Sequence, residues 1–328
     1  MPPERMVWLL ATTLLVAATV PLVRAYALRR GLLDRPGRRR SHEIPTPRGG
    51  GMAIVVITLG NWCWAWQQGL IGADLGVALA GGGLLVAAVG FWEDHRPLTR
   101  RFRLTAQGLA TVWVLYWLAP PLPVLPAVPW YLLAAVGLVW LTNLYNFMDG
   151  IDTLAASECV FVAVAGLLLL GSGGEVRLML ALLGAGTLGF LVWNRPPARI
   201  FMGDSGSCFI GFALGGLALA SFRAESASWS FWSIVLGVFL IDATYTLLRR
   251  MVSGERWYEA HRMHAYQRAA RRWNSHARVT LGVALVNMLW LLPLAALAAA
   301  YPSTGPLWVA LAWLPLIGLA WGLGAGTR

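Results

Sequence analysis

Eleven stretches of the chain are apolar almost throughout. They are residues 6–23, 50–73, 75–92, 104–128, 128–148, 159–174, 178–194, 205–222, 226–241, 279–300 and 301–327, each with at most one or two charges. A helix of about 20 apolar residues crosses the ~30 Å hydrocarbon layer of a bilayer. That layer offers no water to unpaired backbone groups, so such runs are expected to be helical. The pattern predicts an all-α, polytopic transmembrane bundle of ten or eleven spans. No repeat, low-complexity tract or soluble domain interrupts it, so residues 1–328 read as a single integral-membrane domain.

Composition agrees. The chain is 58 % hydrophobic and 12 % charged, against about 25 % charged for soluble domains. Lone Arg5 before the first run, with Arg24, Arg29 and Arg30 after it, reads as a retained first helix rather than a cleaved leader. Cys63, Cys159 and Cys208 have no metal-like spacing and read as packing residues.

Charge orients the bundle. All 26 basic residues are Arg, with eight in 24–48, four in 93–103, two in 195–199 and eight in 249–278. With the N-terminus outside, these loops and Arg328 fall inside, leaving only Arg5, Arg177 and Arg223 outside. That is the asymmetry of the positive-inside rule, and it accounts for the +11 net charge without a nucleic-acid partner. The N-terminus is therefore expected in the periplasm and the Arg-rich loops in the cytoplasm. Pro36, Pro45 and Pro47 disfavour helix in 24–48. Trp257, Tyr258, Met263, Tyr266 and Trp273 among the Arg of 249–278 suit a short amphipathic interfacial helix.

Acids gather on the same face, where membrane-edge carboxylates are functional candidates. Glu93-Asp94 ends the third span; two adjacent carboxylates call for a cation, a shared proton, or Arg96 and Arg100. In 143–158, Asn143, Asn146, Asp149 and Asp152 recur every three residues, so near neighbours share a helix side. Gly150 can interrupt the helix, leaving Asp149 and Asp152 to begin the sixth span. Amide oxygens with carboxylates are the ligands of a hard cation such as Mg²⁺; helix capping is the simpler reading. In RIFMGDSGS (199–207), Gly203 and Gly206 permit close backbone approach, and Ser205 and Ser207 can cap the next helix. Free N–H groups at that helix start suit phosphate, and Asp204 beside them implies a bridging metal. Arg48 and three glycines stand at the mouth of the second span. His261 and His264 lie one turn apart, a weak metal pair better read as basic residues near phosphate or as surface residues. Asp242, seven residues before Arg249, reads as an Arg partner.

Together these strings resemble the polyprenyl-phosphate N-acetylhexosamine-1-phosphate transferases of glycosyltransferase family 4. The matching segments are PTPRGGG (45–51), GFWEDHRPLTRRFRL (90–104), NLYNFMDGID (143–152), FMGDSGS (201–207) and HRMHAYQ (261–267). They occur in family order, and the resemblance spans residue 24 to about 278. Glu93 stands where the family usually has Asp, Thr153 where it has Gly, and Tyr266 and Gln267 where many members carry His. The HRMHAYQ form is similar to the O-antigen-initiating branch rather than the peptidoglycan-precursor branch. The resemblance implies a multi-pass protein of the bacterial inner membrane. It would move an N-acetylhexosamine-1-phosphate from a UDP-N-acetyl amino sugar to undecaprenyl phosphate, releasing UMP, for O-antigen or lipopolysaccharide synthesis. A homodimer is left open.

Under that resemblance, Asp204 is the expected principal Mg²⁺ ligand, Mn²⁺ being a substitute, with Asn146 or Asp149 nearby. Glu93 or Asp94 deprotonates or orients the acceptor phosphate, and Asp152 helps hold the nucleotide. His264 and Arg262 hold the diphosphate, with Arg48 and Asn143 as further substrate contacts. Two rivals are an ion-coupled transporter, whose acids should sit at the midplane, and a CDP-alcohol phosphatidyltransferase, whose signature DGIDTLAAS does not complete. The peptidoglycan-branch phospho-N-acetylmuramoyl-pentapeptide transferase is the alternative within the family.

Overall fold

The computed structural model describes residues 2–34, 45–118, 127–171, 174–255 and 261–327. Pro36, the start of the HEIPTPRGGG segment (His42 and Glu43), and Trp257 and Tyr258 lie outside the described residues.

The described chain is helical apart from a two-residue ladder, β1 (Leu33–Asp34) antiparallel to β2 (Thr46–Pro47). The helices are α1 (Pro3–Arg30), α2 (Gly51–Gln67), α3 (Ala73–His95), α4 (Arg100–Leu118), α5 (Ala127–Met148), α6 (Leu154–Leu169) and α7 (Gly174–Asn194). They continue as α8 (Asp204–Arg223), α9 (Trp229–Val235), α10 (Gly237–Val252), α11 (Ala265–Trp273) and α12 (His276–Val286). A π-helical turn (Asn287–Leu291) leads from α12 into α13 (Leu292–Ala300), and α14 (Gly305–Gly322) follows.

Each of the eleven apolar runs is mainly helical over its described residues, so the polytopic helical class holds. Among the described residues, seven helical stretches are long and apolar enough to cross a membrane, or eight if α9 and α10, bent by 78°, form one span. The count of ten or eleven is thus larger than length and composition support. α2 has 17 residues and α6 has 16, and α4 begins with Arg100, Arg101 and Arg103. The amphipathic helix expected in 249–278 is α11, which buries Ala265, Tyr266, Gln267, Ala269 and Ala270 while Arg271, Arg272 and Trp273 stay exposed.

Small residues set the packing. α8 is buried along nearly its whole length, from Ser205 to Ser221, and is flanked by α3 and α5. A Cβ at Gly82 or Gly83 of α3 would strike Phe212 or Phe209 of α8, and one at Gly90 would meet the backbone of Asp204 and Ser205. Lipid tails give no hydrophobic drive between helices, so close backbone approach through small residues does that work. Gly51 and Gly206 bring the starts of α2 and α8 together likewise. Cys63, Cys159 and Cys208 are free thiols.

Candidate active site

The acid-bearing helix ends surround one cavity of about 510 Å³. Its wall includes Arg48, Glu93, Asp94, Asn146, Asp149, Asp152 and Asp204, so seven of the ten expected site residues converge there. The wall is assembled from backbone first. Phe201 N–H donates to Pro47 O at 2.8 Å, Gly50 N–H to Phe201 O at 2.9 Å and Gly51 N–H to Met202 O at 2.8 Å. The PTPRGGG and FMGDSGS segments are therefore stitched into one platform at the mouths of α2 and α8.

Asp94 is the keystone of that platform. Only 1 % exposed, it accepts the N–H of Asp204 on Oδ1 at 3.0 Å and that of Ser205 on Oδ2 at 3.2 Å. The N–H groups of Gly206 and Ser207 turn back to Gly203 O. The expected free N–H groups for phosphate are thus already used by a carboxylate from another helix, which suits the positive end of α8. Neither Ser205 nor Ser207 caps α8 through its side chain; Ser207 Oγ donates to Gly203 O. Gly203 adopts φ +79°, and a Cβ there would lie 2.7 Å from both Asp94 oxygens.

Arginines reach the acids, though not the pair expected. Arg48 donates to Asp94 O at 2.6 Å and to Glu93 O at 3.5 Å, closing the end of α3. Arg103, rather than Arg96 or Arg100, stands between Glu93 Oε1 (3.6 Å) and Asp204 Oδ2 (3.7 Å). Glu93 Oε2 accepts the Leu98 N–H at 2.7 Å.

The NLYNFMDGID segment splits in two. Asn146 Nδ2 donates to Ser207 Oγ at 2.9 Å, whereas Asn143 pairs with Gln107 of α4, away from the cavity wall. Asp149 follows α5, and among the described residues its carboxylate has no hydrogen-bond or ion-pair partner. Burial, then the charges of Asp204, Asp94 and Asp152, push its carboxyl well above the ordinary carboxylate range. α6 starts later than expected, at Leu154, so neither Asp caps it. Asp152 instead accepts the Ala198 N–H at 3.1 Å and lies 3.3 Å from His276 Nδ1. Thr153 occupies left-handed backbone at φ 73°, where glycine is at ease and a β-branched residue is not. Asn194 holds it, accepting the Thr153 N–H at 2.7 Å and the hydroxyl at 3.2 Å.

The HRMHAYQ segment also divides. His264 is buried behind the wall, with Nδ1 3.3 Å from Asp242. Asp242 is not an Arg partner: it accepts the N–H groups of Ala265 (2.8 Å) and Tyr266 (2.9 Å) at the start of α11, the device Asp94 uses on α8. Arg262 is not in the cavity wall either. His261, Tyr266 and Gln267 are. His261 is no cation: burial, then His264 and Arg250, push its imidazole down to about 3.

Asp34, Arg103, Phe147, Ile151, Asn194, Phe201 and His276 also line the wall without having been singled out. Arg103 sat in a quoted string, but nothing in RRFRL marks which Arg turns inward.

The family model for glycosyl transferase family 4 covers residues 77–222, the stretch carrying Glu93, Asp94, Asn146, Asp149, Asp152 and Asp204. The chain is 30 % identical to the decaprenyl-phosphate N-acetylglucosaminephosphotransferase of Mycolicibacterium smegmatis, covering 79 % of this chain and 73 % of that one. The chain belongs to glycosyl transferase family 4. Further family-4 relatives fall in two groups. One is a probable undecaprenyl-phosphate N-acetylglucosaminyl 1-phosphate transferase of Bacillus subtilis (strain 168), 29 % identical over 88 % of this chain and 84 % of its own. Another is a phospho-N-acetylmuramoyl-pentapeptide-transferase of Moorella thermoacetica, 34 % identical over 68 % and 75 %. The polyprenyl-phosphate N-acetylhexosamine-1-phosphate transferase superfamily, expected from the motifs, is the one found.

Proposed function

We propose that this protein transfers an N-acetylhexosamine-1-phosphate from a UDP-sugar to undecaprenyl phosphate at the cytoplasmic face of a bacterial inner membrane. The observation that carries the reading is the convergence of Asp149, Asp204 and Asn146 with Arg48 and Arg103 on one cavity at the helix ends. A transporter's acids would instead be expected along a midplane path. Family-4 relatives named for polyprenyl-phosphate sugar-phosphate transfer support the same chemistry.

The donor set fits Mg²⁺. Asp149 has no partner among the described residues, Asp204 only the distant Arg103, and Asn146 commits its amide nitrogen and keeps its carbonyl oxygen. Among the described residues no three acids or His are gathered to hold a metal alone. Mg²⁺ is ordinarily bound by one or two carboxylates with substrate phosphates and water, so two acids and an amide suffice. Bound there, it would neutralise the meeting phosphates and stabilise the negative charge that develops on the departing UMP.

An oxygen of the acceptor phosphate attacks the sugar-linked phosphorus in line. The bond from that phosphorus to the bridging oxygen breaks, and UMP departs with the electron pair. Arg103 shifts from Glu93 and Asp204 to the phosphates, and Glu93 orients the acceptor. Asp94 acts through position, by holding the start of α8 and with it Asp204. Asp152 fixes the 195–199 loop and His276 beside the nucleotide. Gln267 Oε1 is buried without a donor and lies where an amide or hydroxyl hydrogen of the donor would satisfy it. The HRMHAYQ form of residues 261–267 is what favours a UDP-N-acetyl-6-deoxyhexosamine or UDP-GlcNAc over UDP-MurNAc-pentapeptide, and O-antigen initiation over peptidoglycan synthesis.

Purified protein should release UMP from the UDP-sugar only with polyprenyl phosphate and Mg²⁺ both present. Asp204→Asn should lower turnover ~10²-fold, the scale of losing one key electrostatic stabiliser, while Glu225→Gln on the opposite face should be silent. Near-normal turnover by Asp204→Asn across a Mg²⁺ titration would remove Asp204 from the site. Robust turnover of the pentapeptide donor would refute the branch.

A further inference from the structure

Besides Asp242, a second buried acid takes no part in the cavity. Glu158 lies one turn into α6 with no exposed surface, and its Oε2 accepts from Asn287 Nδ2 at 2.6 Å. Asn287 is 2 % exposed and sits near the middle of the apolar 25-residue stretch His276–Ala300. Each partner keeps one buried oxygen with nothing to bond, Oε1 of Glu158 and Oδ1 of Asn287. Two orphan acceptors at this depth are costly, and an ionised carboxylate there costlier still. What is missing is a donor. A proton on Glu158 supplies one, because a carboxylic acid and a carboxamide each then present a donor and an acceptor.

Asn287 also opens the π-helical turn that ends α12, and such turns recur at functional positions. At the other end of α12, His276 Nδ1 lies 3.3 Å from Asp152 Oδ1, and Thr280 Oγ1 donates to Asp152 O at 3.2 Å. α12 is thus joined to the Asp152–α6 segment at the cavity wall by two residues and inside the membrane by a third.

We propose that Glu158 is carried as a neutral carboxylic acid, clasped to Asn287 by two hydrogen bonds, and that this clasp sets α12 against α6 and so places His276 and Asp152. Glu158 touches no substrate; it is a positioning residue. The inference rests on the proposed transfer reaction for its turnover readout alone.

The test uses the full-length protein in lipid nanodiscs at neutral pH. Infrared spectra should show the carbonyl band of a protonated carboxyl that shifts in D₂O and is missing from Glu158→Gln. Glu158→Gln keeps an amide pair and should hold kcat within about threefold, as should the swap E158Q/N287D. Glu158→Leu, folded as judged by thermal melting, should lose about tenfold in kcat, the scale of one buried hydrogen-bonded contact. An absent band, or Glu158→Gln as poor as Glu158→Leu, overturns the neutral clasp. Wild-type kcat in Glu158→Leu overturns its positioning role. If even the wild type releases no UMP, the transfer reading fails while the infrared band still decides the neutral acid.

Discussion

Asp94→Asn should damage the fold of the site, and Asp204→Asn its chemistry alone. Both Asp94 oxygens accept a backbone N–H of α8, at 3.0 and 3.2 Å, inside a nearly closed environment. An amide offers one acceptor and turns an NH₂ toward the other N–H. A buried donor left unpaired costs about 1–3 kcal/mol, and the lost charge at a helix N-terminus about 1 kcal/mol more. The sum is roughly 2–4 kcal/mol; at about 2 °C per kcal/mol for a long chain, Tm should fall by ~4–8 °C. Asp204 accepts no comparable bond, and its removal relieves repulsion with Asp94 and Asp149, so its Tm should hold within about 1 °C. The assay is thermal unfolding in detergent paired with UMP release at saturating Mg²⁺. An unchanged Tm for Asp94→Asn, with a turnover loss equal to that of Asp204→Asn, would place Asp94 in the chemistry and refute the capping assignment.

Gly203→Ala should cost about 1–3 kcal/mol for its backbone conformation, aggravated by the 2.7 Å approach to Asp94; a wild-type melting curve would count against the platform. A reporter inserted at Gly254 should read cytoplasmic and one at Glu225 periplasmic; finding Gly254 outside would sink the site's access to nucleotide sugars. His261 binds its proton less readily when folded, so it supports folding above the unfolded imidazole's ~6.5. That support is lost as pH falls from there toward about 3. His261→Gln should therefore show a shallower Tm decline on acidification than the wild type, and an equal decline would show that His261 titrates normally.

The class of fold was legible because hydrocarbon admits few solutions, and apolar run length reports them directly. The meeting of PTPRGGG, GFWEDH, NLYNFMDGID and FMGDSGS on one face was legible too, since the arginine distribution put all of them at the same ends of the helices. What was hidden is who bonds to whom. Capping was weighed for Asp149 and Asp152, within their own segment, yet the caps are made by Asp94 and Asp242 across helices, and spacing along one chain says nothing of that. The resemblance pointed to His264 as the diphosphate contact, but α11 starts at Ala265, which turns that imidazole onto Asp242 and leaves His261 on the cavity. Asn143 and Asn146 share a helix side, yet three residues turn the first toward Gln107.

The cross-helix caps also set the order in which the protein is completed during synthesis. Asp94 emerges from the ribosome about 110 residues before the N–H groups it receives, and Asp242 must wait for residues 265 and 266. Asp152 waits longer, until His276 and Thr280 arrive. Until those partners are made, Asp94 and Asp152 lack the bonds that hold them in the finished wall. The cavity wall closes only when α8 and then α12 dock. A chain ending after α7 therefore lacks the Asp204, His261, Tyr266, Gln267 and His276 side of that wall.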